Sequence, residues 1–458
     1  MSWPTFNASD FPKTSPEEWR EKALQDLKGK SLESLTWMSE LGEVPPIFHP
    51  ESEVPANELP PRSVSNSDNS WEIAQTFSAK NTNKEVVDSL MQGLSYLTLE
   101  INTGEESSIH ELLKGVHVEM VYLKFKGDYS INQLVKELLQ FCENTSQKAT
   151  SMKGCFGVDH FTKALQSGTI DADKIKESIG LQLNLVTENF PAMRCLPVAA
   201  ATYFEAGAND VTELALALKI GQLALEAGLA NGLSVDDVGA LLEFEMASSP
   251  SYFNSIAKFR ALRSMWASVI ESYSPDHACS AVIWIEGVTS ERYFATNDHR
   301  NNLLRTTTEA MSAIIGSCDS VNVSSCSKGA FDADEARWAR NIQHLLREEG
   351  WLDAVIDPGN GSYYIEQLTA LFMVEASKQL QQWEAKGAFH SLEVLQDIRD
   401  HITSNRAKLI EAAQNGSHVI VGVTKFKPKE PLPEKGNIAS SLFSPFNVPL
   451  ALDQTVAQ

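Results

Sequence analysis

Short apolar segments alternate with longer segments of helical periodicity from about residue 72 to residue 413, and this alternation most constrains the fold. A strand followed by a helix predicts a right-handed βαβ unit, and successive units build a parallel sheet. Eight such units favour an α/β fold, a (β/α)8 TIM barrel with insertions, over an open sheet. The predicted strands cover residues 96–101, 116–125, 149–158, 195–204, 240–246, 278–286, 320–325 and 354–356.

Two of the predicted helices have clear N-terminal signals. Asp210 precedes one helix and Glu213 follows three residues later, which is the spacing of a capping box. Asp332 and Glu335 repeat this arrangement before a later helix. These ends support the assignment of the segments between strands to helices.

The pattern divides the chain into three parts. Residues 1–75 are predicted to form an N-terminal arm and linker, and the Pro- and Ser-rich stretch 42–70 within them is expected to lie extended. Residues 76–413 form the barrel. Residues 414–458 form a C-terminal tail, which is predicted to start with a strand over residues 418–426.

Composition limits the partners and the compartment. Lys and Arg total 38 against 60 for Asp and Glu, and a net charge of -22 disfavours nucleic acids and anionic membranes as partners. No stretch approaches the ~18 to 20 continuous apolar residues of a membrane span, and the polar, acidic N-terminus is unlike a signal peptide. The six cysteines contain no C-x-x-C pair, which predicts reduced thiols. We therefore expect a cytoplasmic protein.

Local motifs give few candidates for chemistry. The ten histidines form no H-x-x-x-H or H-E-x-x-H pair, so we predict no metal site. The glycines of GNGSYY, residues 359–364, are more typical of a tight turn than of a phosphate loop. Glu243 and Glu245 share one face of a predicted strand. The pair is equally compatible with acid–base catalysis and with hydrogen bonds that cap loops.

Six segments occur in an order and at a spacing that chance does not readily produce. In this order they resemble the methylmalonyl-CoA mutase family over residues 15–426. The segments are PEEWREKALQDLKGKSLESLTW at 16–37, EAGANDVTELALALKIG at 205–221, FRALRSMWA at 259–267, RTTTEAMSAIIG at 305–316, EARWARNIQHLLREEGWLDAVIDPGNGSYYIEQLT at 335–369 and VIVGVTKF at 419–426.

The resemblance implies a TIM barrel that, in active members, binds an acyl-CoA along its axis. A second, flavodoxin-like domain of those members presents adenosylcobalamin, and a radical rearrangement then interconverts methylmalonyl-CoA and succinyl-CoA. Its cobalt-ligating signature is D-x-H-x-x-G, and none of the ten histidines here has an Asp two residues before it. We therefore expect this chain to bind no cofactor itself, with adenosylcobalamin held by a partner subunit.

The chain also departs from the family at the catalytic strand. Active members carry a Tyr-His pair just before the E-A-G-A stretch, and that His donates a hydrogen bond to the thioester carbonyl. Here the sequence is AAATYFEAGA. With two residues deleted, Tyr203 matches the tyrosine and Phe204 replaces the histidine; without a gap, Ala201 and Thr202 occupy the pair. The imidazole is missing in both registers and Phe cannot donate that bond, so Tyr203 is interpreted as a catalytic vestige.

Other departures concern the barrel interior. Asn322 stands about where active members have a further histidine. An axis that threads a pantetheine needs small or polar linings, whereas bulky residues stand on these strands. We predict a plugged barrel, against the alternative that Trp284 points outward to the helices. The bulky residues predicted to face the axis are Trp284, Ile283 or Ile285, Phe244 and Met246.

The resemblance and the departures together predict a small, non-catalytic subunit of a heterodimeric, adenosylcobalamin-dependent methylmalonyl-CoA mutase. Such a chain is a component of an isomerase, is inactive alone, and stabilises the catalytic large subunit. One alternative is the substrate-binding half of a split acyl-CoA mutase that uses a separate cobalamin subunit. Another is a free-standing barrel with new chemistry on Glu243 and Glu245. The sequence leaves open a homodimer when the chain is alone.

Overall fold

The fold is described from a computed structural model. It describes residues 15–35, 37–39, 42–44, 68–78, 81–102, 109–168, 170–327, 332–429 and 442–456. Most of the stretch 42–70 that was predicted to lie extended is outside the described residues. The described part of the N-terminal arm contains helix α1 (Pro16–Asp26) and an antiparallel hairpin of β1 (Trp37–Ser39) and β2 (Gly42–Val44).

The barrel is a closed ring of parallel strands. The sheet order is β7-β6-β5-β4-β3-β11-β10-β9-β8, and β7 and β8 are two halves of one strand separated by Cys195. The two ends of the sheet are therefore the same strand, and eight strands close into the TIM-type barrel that the alternation predicts. The strands are β3 (Glu72–Ser78), β4 (Tyr96–Asn102), β5 (Tyr122–Asp128), β6 (Lys153–Phe156), β7 (Met193–Arg194), β8 (Leu196–Ala199), β9 (Leu242–Ser248), β10 (Trp284–Thr289) and β11 (Ser320–Asn322).

Helices surround the ring, and the described residues also include 3₁₀ turns at Leu32–Leu35, Ala149–Ser151 and Ala278–Ala281. Asp332 caps α12 as predicted, whereas Asn209, not Asp210, caps α8. The helices are α2 (Asn83–Met91), α3 (Ile109–Leu112), α4 (Ile131–Thr145), α5 (His160–Ser167), α6 (Ala172–Asn189), α7 (Ala201–Glu205), α8 (Asp210–Ala230), α9 (Val235–Leu241), α10 (Tyr252–Ser272), α11 (Asn301–Ile315), α12 (Ala333–His344, extended by a π-helical turn Leu345–Glu349), α13 (Tyr363–Lys386), α14 (Leu392–Gln414) and α15 (Val448–Val456).

Inside the barrel, one strand was not predicted and one predicted strand is wrong. The first strand is β3, which begins within the segment assigned to the arm and was missed because Glu72, Gln75 and Thr76 interrupt its apolar pattern. The strand predicted over 354–356 is instead part of a turn. Its apolar run is short and lies between Asp353 and Asp357, and aspartates favour turns.

The C-terminal tail also differs from the prediction. Residues 418–426 do not form a strand with a neighbour but fold back on themselves, with the amide of Val423 donating to the carbonyl of Ile420 at 3.0 Å. Gly422 has a φ of +84°, which favours this turn. Residues 448–456 form helix α15, which the sequence interpretation did not include.

The outer face of β9 packs against the helices. Phe244 and the ring of Trp266 on α10 meet edge-to-face with centroids 4.9 Å apart. Met246 shares the face of Phe244, since side chains alternate along a strand. Both residues were predicted to fill the axis, and that prediction is wrong for each.

We predict that Gly221→Ala on α8 lowers the free energy of unfolding by about 1–3 kcal/mol, as overpacking of cores does. A Cβ at Gly221 would lie 2.7 Å from Phe244 and 2.8 Å from Trp266, so the helix would have to move away from the strand. Urea unfolding of the variant measures the change. Gly232→Ala is a poor control because its φ is positive, so Ser268→Ala on the exposed part of α10 serves instead. Equal stability of G221A and S268A would contradict the described packing.

Candidate functional site

Charged side chains from strands on opposite sides of the ring meet in the barrel axis. The ammonium of Lys124 on β5 lies 2.8 Å from Glu243 and 2.9 Å from Glu245, both on β9, and also pairs with Glu286 on β10. Strand β5 is not adjacent to β9 or β10, so these contacts cross the interior. All four residues are buried. We refer to them, together with Arg194, as the axial charge network.

Arg194 and aromatic rings extend the network toward the start of the strands. The Nε of Arg194 donates to Glu243 at 2.9 Å, and the guanidinium lies 3.9 Å from the ring centre of Trp284. The hydroxyl of Tyr96 donates to the Glu243 carboxylate at 2.8 Å, and the indole of Trp284 donates to Ser320 at 3.1 Å. Trp284 therefore faces the axis, as predicted, and Ile283 and Ile285 alternate with it and face outward.

Burial and the neighbouring charges act in opposite directions on the pKa values of the axial charge network. Burial opposes the charge on Lys124, but the three carboxylates outweigh it and raise the pKa of Lys124 well above its usual range. Burial also opposes charge on Glu245, yet Lys124 and Lys126 lower its pKa to about 2. For Glu286, burial is the stronger influence and raises the pKa despite Lys124.

This arrangement bears on the two roles considered for Glu243 and Glu245. An acid–base catalyst needs a pKa near the working pH and access to substrate. The pKa of Glu243 is lowered because Lys124 and Arg194 outweigh its burial, and its carboxylate is fully paired in the interior. Loop capping does not describe the pair either, since its partners are side chains on strands. Both carboxylates serve as the anionic half of the axial charge network.

A cavity of about 400 Å³ opens at the carboxyl ends of β5, β6 and β8. Lys124 and Glu245 are among its lining residues, so the cavity borders the axial charge network. Lys126, Lys163 and Thr202 are among the side chains on its wall. Active sites of TIM barrels lie at this end of the strands, which makes this cavity the candidate ligand site of the described residues.

Tyr203 is not among the residues that line this cavity. Its side chain is buried, and its hydroxyl lies 2.9 Å from that of Thr162. Burial, with a smaller effect of Asp159, raises the pKa of Tyr203 well above its usual range. Thr202 lies on the cavity wall instead, which corresponds to the gapless register of the family's Tyr-His pair. Tyr203 thus has packing partners but no access to the candidate site.

Phe204 lies in a second buried cluster beside the cavity. The guanidinium of Arg292 is 3.5 Å and the ammonium of Lys258 is 4.7 Å from its ring centre. Lys258 in turn pairs with Asp210 at 2.6 Å and with Glu213. The two cations face the ring, so the aromatic side chain is fixed by cation–π contacts.

Lys124, Arg194 and Glu286 were missed by the sequence interpretation. Their signal was a charged residue inside an otherwise apolar strand, as in YLKFKGD at 122–128 and WIEGVT at 284–289. Charged residues are rarely buried without a partner of opposite charge. Glu243 and Glu245, on another strand, were therefore candidate partners for Lys124. The axis also includes Asn322, whose side-chain amide donates to Thr76 at 2.9 Å.

Comparison with known proteins fixes the family. The family model described as Methylmalonyl-CoA mutase matches residues 99–440, which is more than half of the chain. The chain belongs to the methylmalonyl-CoA mutase family. Among the helices that the structure describes, none is both long enough and apolar enough to cross a membrane.

Relatives in the methylmalonyl-CoA mutase family include several called small subunits. The methylmalonyl-CoA mutase small subunit of Porphyromonas gingivalis is 30% identical, covering 91% of this chain and 70% of the relative. That of Streptomyces virginiae is 28% identical, covering 79% and 62%, and that of Propionibacterium freudenreichii subsp. shermanii is 25% identical, covering 92% and 69%. The chain thus spans roughly two thirds of the length of these relatives.

The methylmalonyl-CoA mutase family implies adenosylcobalamin, whose cobalt is ligated in active members by the histidine of the D-x-H-x-x-G signature. That signature does not occur in the sequence, and the residues that line the cavity include no histidine that could replace it. The residues that line the cavity therefore do not supply the cobalt ligand of the family.

Proposed function

We propose that this chain is the small, non-catalytic subunit of a heterodimeric, adenosylcobalamin-dependent methylmalonyl-CoA mutase and stabilises the catalytic large subunit. Relatives that are called small subunits of this enzyme support the proposal. The proposed loss of catalysis rests on one observation, the axial charge network. It occupies the position in which active members of the family are expected to bind the acyl-CoA.

Opening the axis would be costly. An acyl-CoA passing along it would have to separate Lys124 from carboxylates on two strands, and Lys124 pairs with each of them in the buried interior. Removing one partner from a buried ion pair typically costs about 3–5 kcal/mol, because the remaining charge is left uncompensated. The network therefore favours a barrel that keeps the family's fold without its tunnel.

A chain of this kind acts by binding. A partner that binds only the folded form of the large subunit stabilises that form by mass action. The N-terminal arm, residues 1–75, is a proposed part of the interface, on the strength of its resemblance to the opening arm of the mutases. The remaining interface is then a face of the barrel.

The cavity at the barrel mouth supports the second candidate, the substrate-binding half of a split acyl-CoA mutase. Its volume of about 400 Å³ is within the range of small-molecule sites. Lys126 and Lys163 lie on its wall and would have to exchange their partners Glu245 and Asp128 for an anionic group. Against this candidate, neither Thr202 nor Phe204 offers the imidazole of the active members. The cavity therefore remains the weaker basis for a function.

The two candidates predict different outcomes. We expect co-expression with a full-length mutase from the same genome to give a one-to-one complex, by light scattering, and deletion of residues 1–60 to weaken it. The isolated chain is expected to show no turnover with added adenosylcobalamin and no micromolar binding of methylmalonyl-CoA by calorimetry. The intact complex, titrated in parallel, is the positive control.

Failure to associate with the full-length mutase would overturn the subunit proposal. Micromolar binding of methylmalonyl-CoA by the isolated chain, together with turnover when a separate cobalamin subunit is added, would support the split enzyme. An undiminished complex after deletion of residues 1–60 would show that this part of the arm does not contribute to the interface. The proposed interface would then consist of the barrel face.

A further inference from the structure

Three side chains with metal-binding groups converge at the carboxyl-end face of the barrel, away from the cavity. His299 lies in the loop after β10, Cys326 in the loop after β11, and Glu335 in the first turn of α12. One ligand atom from each lies within 4.8 Å of the other two. We propose that His299, Cys326 and Glu335 form a site for a divalent transition metal, with Zn²⁺ as the expected ion.

The spacing of the three groups is close to that of a zinc site. With metal–ligand distances of about 2.0 to 2.3 Å and tetrahedral angles, neighbouring ligand atoms are about 3.3 to 3.6 Å apart. The Nε2 of His299 is already 3.4 Å from the carboxylate of Glu335. Small rotations of the side chains would therefore bring all three groups to coordinating distance.

The groups are positioned by neighbouring hydrogen bonds. The amide of Asn302 donates to the carbonyls of Cys326 at 2.8 Å and Ala295 at 3.0 Å, which ties the two loops together. The carboxylate of Glu335 accepts from the amide and the hydroxyl of Ser327 at 3.1 and 2.6 Å. Outer contacts of this kind orient metal ligands, and they leave the His299 side open to a fourth ligand such as water.

The choice of metal follows from the donor set. A thiolate, an imidazole and a carboxylate suit Zn²⁺ or Co²⁺, whereas Ca²⁺ and Mg²⁺ prefer oxygen ligands throughout. Cys326 and Glu335 are buried and His299 is partly exposed, so an ion could enter from one side. A bound ion would link the loops after β10 and β11 to α12, which is a structural role at the barrel mouth.

Without metal, Cys326 is a neutral thiol. Burial is the main cause that raises its pKa to about 12, the carboxylate of Glu335 adds to it, and Arg300 opposes it. His299 is the other titratable group that faces the thiol in this cluster. Binding of the ion replaces the thiol proton, so metal affinity is expected to rise with pH and binding to release a proton.

The test uses Co²⁺ and Zn²⁺ with the full chain, reduced and stripped of metal. We expect one Co²⁺ per chain, with a near-ultraviolet thiolate-to-cobalt absorption that Zn²⁺ abolishes by displacement. Loss of an outer contact typically weakens metal binding about 10- to 100-fold, so loss of the direct ligand in Cys326→Ser is expected to cost at least ~100-fold. His299→Ala is expected to weaken binding and to retain the thiolate absorption.

Matched controls lie elsewhere on the surface. Cys279 is exposed, and His277 pairs with Asp236 at 3.2 Å, so Cys279→Ser and His277→Ala should bind Co²⁺ as the unmodified chain does. Circular dichroism of C326S separates loss of the site from loss of the fold. A chain that takes up no Co²⁺ at micromolar concentration, or a C326S variant with unchanged absorption, would mean that the three groups form only a hydrogen-bonded cluster.

Discussion

Replacing Lys124 with methionine is expected to lower the free energy of unfolding by about 3–5 kcal/mol, the usual cost of removing one partner from a buried ion pair. Lys124 is the cation shared by Glu243, Glu245 and Glu286. Methionine fills a similar volume, so the loss reports on the uncompensated carboxylates rather than on a cavity. Urea unfolding followed by circular dichroism measures the change.

Two further variants separate electrostatics from packing. Lys163→Met removes an exposed pair with Asp128 and is expected to change stability by less than about 1 kcal/mol. The double variant with Lys124→Met and Glu286→Gln removes one of the uncompensated charges and should recover part of the loss, since the two sites are in contact. A loss below about 1 kcal/mol in K124M would show that the network does not hold the barrel interior together.

The pH dependence follows from the direction of the shifts. The pKa of Glu245 is lowered from its usual 4.5 to about 2, so its contribution to stability is complete above pH 4.5 and is lost as the pH falls toward 2. In K124M, Glu286 loses its cation, whereas Glu243 keeps Arg194 and Glu245 keeps Lys126. Burial would then raise the pKa of Glu286 further, and the cost of its buried charge would disappear as the pH falls to 4.5. The stability difference between the two proteins is therefore expected to shrink from pH 7 to pH 5.

The barrel could be predicted from the sequence because alternation of strand and helix is a local pattern. The axial charge network could not be predicted in this way. Lys124 and Glu286 are 162 residues apart, and neither sequence segment reveals which strand lies opposite it across the barrel. The alternation of charged and apolar residues along β9 was evident from the sequence, but the sequence did not show which of the two faces of the strand points toward the axis. Glu243 and Glu245 face the axis and Phe244 faces the helices, the reverse of a simple rule that apolar residues fill the centre.

The same limitation explains the candidate site. Glu243 and Glu245 on one strand suggested catalysis or loop capping. The sequence does not reveal that Lys124 on β5 and Arg194 on β7 pair with them. The cluster of His299, Cys326 and Glu335 was not predicted for a related reason. A search for regularly spaced histidines cannot find three different residues that separate loops bring together. Composition and order of segments identified the family, whereas the chemistry depended on contacts across the ring.

Restoring a histidine at Phe204 is expected to destabilise the chain without restoring catalysis. The ring of Phe204 is buried between Arg292, 3.5 Å from its centre, and Lys258. An imidazole there would lose the cation–π contacts and bury polar nitrogens, at a combined cost of about 2–4 kcal/mol. The two cations would also keep it uncharged.

The companion variant Thr202→His tests the gapless register. Thr202 lies on the cavity wall and is partly exposed, so T202H is expected to stay within about 1 kcal/mol of the unmodified chain. Phe204→Leu is the matched control for F204H, since it keeps an apolar side chain and loses the cation–π contacts, worth about 0.5–2 kcal/mol, together with part of the packing of the ring. Thermal unfolding ranks the three variants, and none should gain mutase turnover because the axial charge network remains. If F204H were as stable as the unmodified chain and gained turnover, Phe204 rather than Thr202 would occupy the histidine position of the family.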